Sequence, residues 1–392
     1  MEKQFSGANR ILKSILSVIL ITATLSCLNC IAAEKEQAKP QLHTFRYTNP
    51  ITRDPSQSMR DHIIVKEGNR WYMTGTSQPI WEGPNPGVRL MVSDDLLNWK
   101  HEAWIIDANK LPDDCPYKGR FYAPEIHKIN GKFYLVVNSG HFPKKGEYLE
   151  ANHKTWIFSS DDIAGPYSLI TPNGLAVGDY ANDASLFGDD DAKTYLYCCT
   201  YTGDNKGLHQ AEINLKTGKL VDETKGVNGF EKVLGPTDPC VPEWIIGGIE
   251  APYVIKRYGF YWMFFSSYTR GYEIGVLKAS SPLGPWTLSP REPILGTLKD
   301  EMATKRDGRA IVKFEDSNDP FFQVGHNGIF EGPDGKDWIC CHYWLKGEKV
   351  ISGSRPIYKT YEQLGIEPLH FENGVFKVNG PTWTEQVVTW EK

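Results

Sequence analysis

Hydrophobic and polar positions along most of this chain alternate with a period of two, in short runs broken by Gly, Pro, Asn and Asp. That period belongs to half-buried strands, and no long stretch beyond the first 33 residues carries a helical period. The runs fall into five similar units. They read MRDHIIVKEGNRWYMTGTS (59–77), YAPEIHKINGKFYLVVNSG (122–140), NDASLFGDDDAKTYLYCCT (182–200), IEAPYVIKRYGFYWMFFSS (249–267) and GHNGIFEGPDGKDWICCHYW (325–344). Each places an acid or a His about ten positions before an aromatic strand. These leading residues are Asp61, Glu125, Asp183, Glu250 and His326, at spacings of 64, 58, 67 and 76.

Further strands follow each unit, such as GVRLMVSDDLLNWK (87–100), TWIFSSDDIAGPYS (155–168) and YEIGVLKASSPLGPWT (272–287). Three or four short strands per unit, repeated five times, predict an all-β fold, a five-bladed β-propeller. A β-sandwich would leave the five matched units unexplained. In a propeller the same position of every blade faces one channel, so the leading residues are expected to share an axis. The segments 231–243 and 298–320 interrupt the pattern and are expected to be rim loops. The tail, with GVFKV and EQVVTW, is expected to complete the last blade.

Composition adds three points. The chain has 392 residues, 40% hydrophobic, with 12 Trp, 19 Tyr and 17 Phe, which suits a large β core. Net charge is −5 and no basic stripe occurs, which argues against a nucleic-acid partner. Lys3, Arg10 and Lys13 precede an apolar run at 15–25, and Ala32-Ala33 follow; this is a secretory signal pattern over 1–33, too short for a membrane span. Export to the periplasm, cell surface or medium is the expectation. Cys27 is a candidate lipid anchor, although Thr24 stands where a lipobox has Leu. Residues 34–44 read as a polar tether and 45–392 as the propeller. Cys198-Cys199 and Cys340-Cys341 sit inside strands, where neighbours point to opposite faces, so free buried thiols are expected rather than disulfides.

Two Asp, two Glu and a His on one axis suit glycosidic hydrolysis, which needs one carboxyl as acid and another as base or nucleophile. The residues also carry a resemblance. The chain resembles glycoside hydrolase family 43, five-bladed propellers that include β-xylosidases, α-L-arabinofuranosidases and arabinanases. The likeness rests on the Asp before the first aromatic strand, on NDASLFGDDDAKTYLY, on IEAPYVIKRYGFYWMFFSS and on the Gly-His-Asn of the fifth unit. It implies a base at Asp61, a pKa-modulating Asp at Asp183 and an acid at Glu250, with inversion by water. It also implies that Glu125 lines the sugar pocket. His326 would hold a metal, often calcium, or a water, and Arg355 would contact the sugar or the acid. The family usually has Asp-Pro at the base, whereas Asp61 precedes His62, which marks His62 as a candidate subsite residue. Asp54, in Arg53-Asp54-Pro55, competes for the base role but lies further from its strand.

Bland roles stand beside these. Asp61 and Asp183 could cap turns. Asp189-Asp190-Asp191 reads as a solvated turn rather than a calcium site, and His342 as an ordinary packed residue. Trp81, Phe142, Trp244 and Tyr268 are candidates for stacking on sugar. The expected partner is an oligosaccharide or polysaccharide of plant or algal origin. Two other functions fit the sequence: an enzyme like family 117, which releases 3,6-anhydro-L-galactose from agar fragments, and a carbohydrate-binding propeller without catalysis.

Overall fold

The computed structural model describes residues 41–80, 84–141, 153–201, 203–269, 272–296, 321–352 and 355–391, with side chains except at 321–322 and 346–360. The signal segment, Cys27 and most of the tether lie outside these residues, as do Trp81, Phe142 and 298–320. Phe45–Val388 forms one compact unit; Met1–Thr44 with Thr389–Lys392 forms another. Among the described residues, no helix is long and apolar enough to cross a membrane.

The larger unit is a five-bladed β-propeller. Blade one is built from Met59–Glu67, Arg70–Ser77, Gly87–Ser93 and Lys100–Asp107, in that spatial order. Blade two runs Tyr122–Ile129, Lys132–Ser139, Lys154–Ser160 and Ser168–Leu169. Blade three opens with Asn182–Gly188 and Thr194–Thr200, blade four with Ile249–Arg257 and Phe260–Ser267, and blade five with Phe321–Glu331 and Asp337–Ser352. Successive strands pair antiparallel within every blade. The inner strand of each blade touches that of the next, and blade five touches blade one, so the ring closes. Two expectations change. Glu231–Leu234 is a strand on the third strand of blade three, not a loop. The tail supplies the outer strand of blade five through Val375–Val378, but Gln386–Glu391 pairs instead with Leu42–Tyr47.

Five apolar clusters fill the five gaps between neighbouring blades. The second strand of each blade is therefore buried on both faces, which explains the paired cysteines. Cys198 packs toward blade two and Cys199 toward blade four. Cys340 packs toward blade one and Cys341 toward blade four. These four and Cys115 are buried free thiols, whereas Cys240 is exposed.

Every inner strand carries a β-bulge at the same register. The pairing slips between Arg60 and Ile63, Tyr122 and Glu125, Asn182 and Ser185, Glu250 and Tyr253, and Gly325 and Gly328. The first bulged residue has positive φ in each: Asp61 (60°), Ala123 (42°), Asp183 (47°), Ala251 (55°) and His326 (54°). Left-handed backbone disfavours a residue with a Cβ, so these positions need outside support. In three blades the second strand of the preceding blade provides it by binding an amide of the bulge, the first in blades two and five and the second in blade three. The Ala123 amide donates to Thr76 Oγ1 at 2.8 Å, the Ala184 amide to Asn138 Oδ1 at 2.9 Å, and the His326 amide to Ser266 Oγ at 2.9 Å.

Asn138 also donates to Thr155 Oγ1 and to the Ala181 carbonyl, and it is fully buried. Asn138→Ala strands those groups without partners and is expected to cost about 2–4 kcal/mol. Urea unfolding monitored by Trp fluorescence checks this; a midpoint equal to wild type would rule out the role given to Asn138.

Candidate active site

The bulges decide which side chains meet. Residues immediately before a bulge (Arg60, Tyr122, Asn182, Glu250) and first in a bulge (Asp61, Asp183, His326) line one cavity of about 250 Å³, completed by Tyr180, Tyr201 and Tyr268. Asp61, Asp183, Glu250 and His326 are therefore brought together as expected from the sequence. They are not one repeated position, however. Glu250 sits one residue before its bulge, and Glu125 lies after its own.

That offset removes Glu125 from the cavity. It is 1% exposed, and its Oε2 bonds to His127 Nε2 at 2.7 Å. His62 is the second bulged residue, in the place of Pro124, Ala184, Pro252 and Asn327. It is buried among the inner strands, where its carbonyl accepts from Cys340 Sγ, and it does not line the cavity. Asp54 is exposed and caps a short 3-10 turn by accepting from the Ser56 amide at 2.9 Å, away from the site. Trp244 is core, stacked on Phe265, whereas Tyr268 reaches the cavity. Gly248 makes room for Tyr268: a Cβ there would meet its hydroxyl at 2.1 Å. Arg355 lies on a strand whose side chains at 346–360 are outside the description. Asp189-Asp190-Asp191 forms a turn tied by Lys256, which donates to Asp189 and Asp190.

The three carboxyl groups are 5%, 3% and 8% exposed at Asp61, Asp183 and Glu250, so neighbours decide their protonation. Asp61 Oδ2 accepts from Thr76 Oγ1 at 2.6 Å. Its Oδ1 accepts from Arg60 Nε at 3.2 Å and lies 3.1 Å from His326 Nδ1 and 3.6 Å from His342 Nδ1. Burial pushes the Asp61 carboxyl up, but His326, His342 and Arg60 outweigh it and hold the pKa well below the usual range. Asp183 goes the other way. Burial, then the charges of Glu250 and Asp61, raise it well above its ordinary value, against Arg60. Burial also raises Glu250, opposed by Arg60, His326 and a hydrogen bond from Tyr201. Burial and Arg60 lower His342 to about 3, so it is neutral near pH 7.

Tyr201 joins the two raised carboxyls. Its hydroxyl donates to Glu250 Oε2 at 2.7 Å and lies 3.5 Å from Asp183 Oδ2. Asn182 Nδ2 donates to both Asp183 Oδ1 (2.7 Å) and the Tyr201 hydroxyl (3.0 Å). Beside them runs a chain of ring contacts, Tyr122–His153–Tyr180–Tyr201–Tyr268, at centroid distances of 5.4, 5.1, 5.7 and 6.4 Å. The cavity thus has an aromatic wall from blades two to four beside charged groups from blades one, three, four and five. Arg60, Asn182 and Tyr201 were not legible as site residues. One signal was present: Ala-Pro at both 123–124 and 251–252 aligns blades two and four and puts Glu250 level with Tyr122.

Asp183, Glu250 and His326 each offer a ligand atom, all within 4.8 Å of one another, so this cluster can coordinate a metal ion. Calcium seeks six to eight oxygens, so water would have to complete its shell here.

The model of glycosyl hydrolases family 43 matches residues 47–376, which contain all these site residues. The chain belongs to this family. Among family 43 relatives, a xylan 1,3-beta-xylosidase of Vibrio sp. is 28% identical over 274 residues, 66% of this chain and 45% of its own length. Xylosidase/arabinosidase 43B of Humicola insolens is 25% identical over 293 residues, 71% and 46% respectively. This chain therefore spans about half the length of these two relatives. The crystal structure of a thermostable family-43 glycoside hydrolase superposes with a TM-score of 0.64 at 25% identity, covering 87% of this chain and 98% of that one.

The raised pKa of Asp183 has a consequence for stability. An unfolded Asp loses its proton near pH ~4. The folded protein retains that proton to higher pH, so Asp183 favours the folded state below pH ~4 and costs stability as pH rises toward its folded pKa. Asp183→Asn is expected to melt a few degrees above wild type at pH 8, with the gap closing by pH 4. Calorimetry at both pH values checks this; a gap independent of pH would contradict the protonation assigned to Asp183.

Proposed function

We propose that this chain is an inverting glycoside hydrolase that releases a terminal pentose or related sugar from xylan- or arabinan-type fragments. Three buried carboxyl groups in one cavity, with pKa values driven in opposite directions, carry this reading. Opposed environments of this kind separate acid from base. Glu250, raised, keeps its proton for the leaving glycosidic oxygen. Asp61, lowered, stays ionised and takes a proton from water as the water oxygen bonds to the anomeric carbon from the opposite face. Asp183 does not react; its charge coupling to Glu250 favours the protonated acid, and the Tyr201 hydroxyl orients the Glu250 carboxyl.

The aromatic wall supports a sugar ring as ligand, because it offers apolar contact beside hydrogen-bonding groups. Among the described residues, the cavity of about 250 Å³ is smaller than the roughly 300–1,000 Å³ of pockets for drug-sized ligands. That favours one terminal ring over a length of chain. The xylosidase and arabinosidase names of the relatives support a pentose. A calcium ion would be held by Asp183, Glu250 and His326 and would supply fixed positive charge. A Glu250 carboxylate bound to an ion would be ionised, so Glu250 would serve as acid only while it is not a ligand. The basic and apolar N-terminal segment supports export of the enzyme.

Hydrolysis of aryl xylosides, arabinofuranosides and the matching oligosaccharides tests this function. Glu250→Gln and Asp61→Asn are each expected to lower kcat by about 10²–10⁴ on natural linkages. Proton NMR of the first product should show the opposite anomer to the one cleaved. A retained anomer would sink inversion. Binding without turnover across the panel would leave a carbohydrate-binding propeller instead.

A further inference from the structure

We propose that Arg60 is the positioning residue of the base, fixing the Asp61 carboxylate in the orientation from which it takes a proton from water. This rests on Asp61 being the base. Arg60 holds the register that Tyr122, Asn182 and Glu250 hold in blades two to four, immediately before the bulge. Like them it lines the cavity, and its side chain is 11% exposed.

Its guanidinium lies near two aromatic rings. The central carbon lies 5.7 Å from the Tyr272 ring centroid and 5.1 Å from that of Trp344. Tyr272 comes from blade four and Trp344 from blade five. A planar, delocalised cation can stack on aromatic rings and still donate along its edge, which a lysine ammonium cannot do. That edge points Nε at Asp61 Oδ1, at 3.2 Å. Thr76 takes the other oxygen, so the carboxylate is gripped from two sides by groups on neighbouring strands of its own blade.

The grip matters because Asp61 sits in a left-handed bulge, where the backbone alone does not aim its side chain. Without Arg60, Oδ1 is left to His326 Nδ1 at 3.1 Å and His342 Nδ1 at 3.6 Å, while Thr76 holds Oδ2. A general base displaced by about 1 Å loses on the order of 10²-fold in rate. Both contacts are charge-assisted, and Arg60 adds a full positive charge beside the carboxylate that Thr76 does not.

Arg60→Ala in the full chain is expected to lower kcat by about 10²-fold with KM little changed. Guanidinium chloride at non-denaturing concentration should restore part of that kcat, while sodium chloride at equal ionic strength should not. Arg60→Lys should fold, fall short of wild-type kcat and gain nothing from guanidinium. Wild-type kcat in either variant overturns the proposal. So does a folded Arg60→Ala protein that guanidinium leaves unchanged, or one whose KM rises at constant kcat, which would make Arg60 a substrate contact. A crystal structure of either variant gives a readout without turnover: an Asp61 carboxylate in its wild-type rotamer refutes positioning. Asp61→Asn run in parallel separates the two readings. If that variant keeps wild-type kcat, the base assignment itself fails; if it is inactive while Arg60→Ala is not, only the present inference fails.

Discussion

The site depends on a backbone irregularity repeated five times. Each inner strand breaks its pairing with a bulge at the same register, and the first bulged residue is held at positive φ. For a residue with a Cβ this costs on the order of 1–3 kcal/mol, so it persists only where the surroundings over-determine it. Here neighbouring blades do so, through Thr76, Asn138 and Ser266. The bulge turns two consecutive side chains toward the cavity where an unbroken strand would present one. Arg60 with Asp61 and Asn182 with Asp183 both exploit this. Closing the ring is therefore what makes the cavity, because each blade carries the support for the next.

The same arrangement sets the electrostatics. Among the described residues, four buried acidic groups, Asp61, Asp183, Glu250 and Glu362, act on Arg60, and burial alone would raise them all. Arg60, His326 and His342 crowd against Asp61, and only Asp61 ends below its ordinary value. Asp183 feels the charges of Glu250 and Asp61, Glu250 feels that of Asp61, and burial keeps both high. Neighbours rather than position within the bulge thus set protonation, since Asp61 and Asp183 share one register and are driven in opposite directions. The long side chain before the bulge in blade one is a cation, while the one in blade four is an acid.

Much of the fold was legible because its signals are local. Period-two runs, turn residues and the Gly-aromatic hairpins identify strands, and five similar units identify blades. Asp61 and Asp183 were legible because they sit at the same place in units that align well by eye. Glu125 misled for a definite reason. It has the right spacing to its strand, but it lies beyond the bulge, and one inserted residue changes which face a side chain takes. His62 misled in the same way, as an unusual neighbour of Asp61 that the bulge sends into the packing. Arg60 and Tyr201 carried no local mark. Their importance comes from Tyr272, Trp344, Asp183 and Glu250, which lie on other strands and mostly on other blades.

By itself, the sequence determined the strand content, the number of blades, the separation of Cys198 from Cys199 and of Cys340 from Cys341, and the set of acids from which a site could be built. These follow from residue-by-residue propensity and from the period of a pleated strand, which need no partner to be read. Only the tertiary structure decided which acids share the cavity, which of them keeps a proton, and which cation they share. Those outcomes depend on distances of a few ångströms between chain segments 60 to 280 residues apart, and on burial that exists only once the ring has closed.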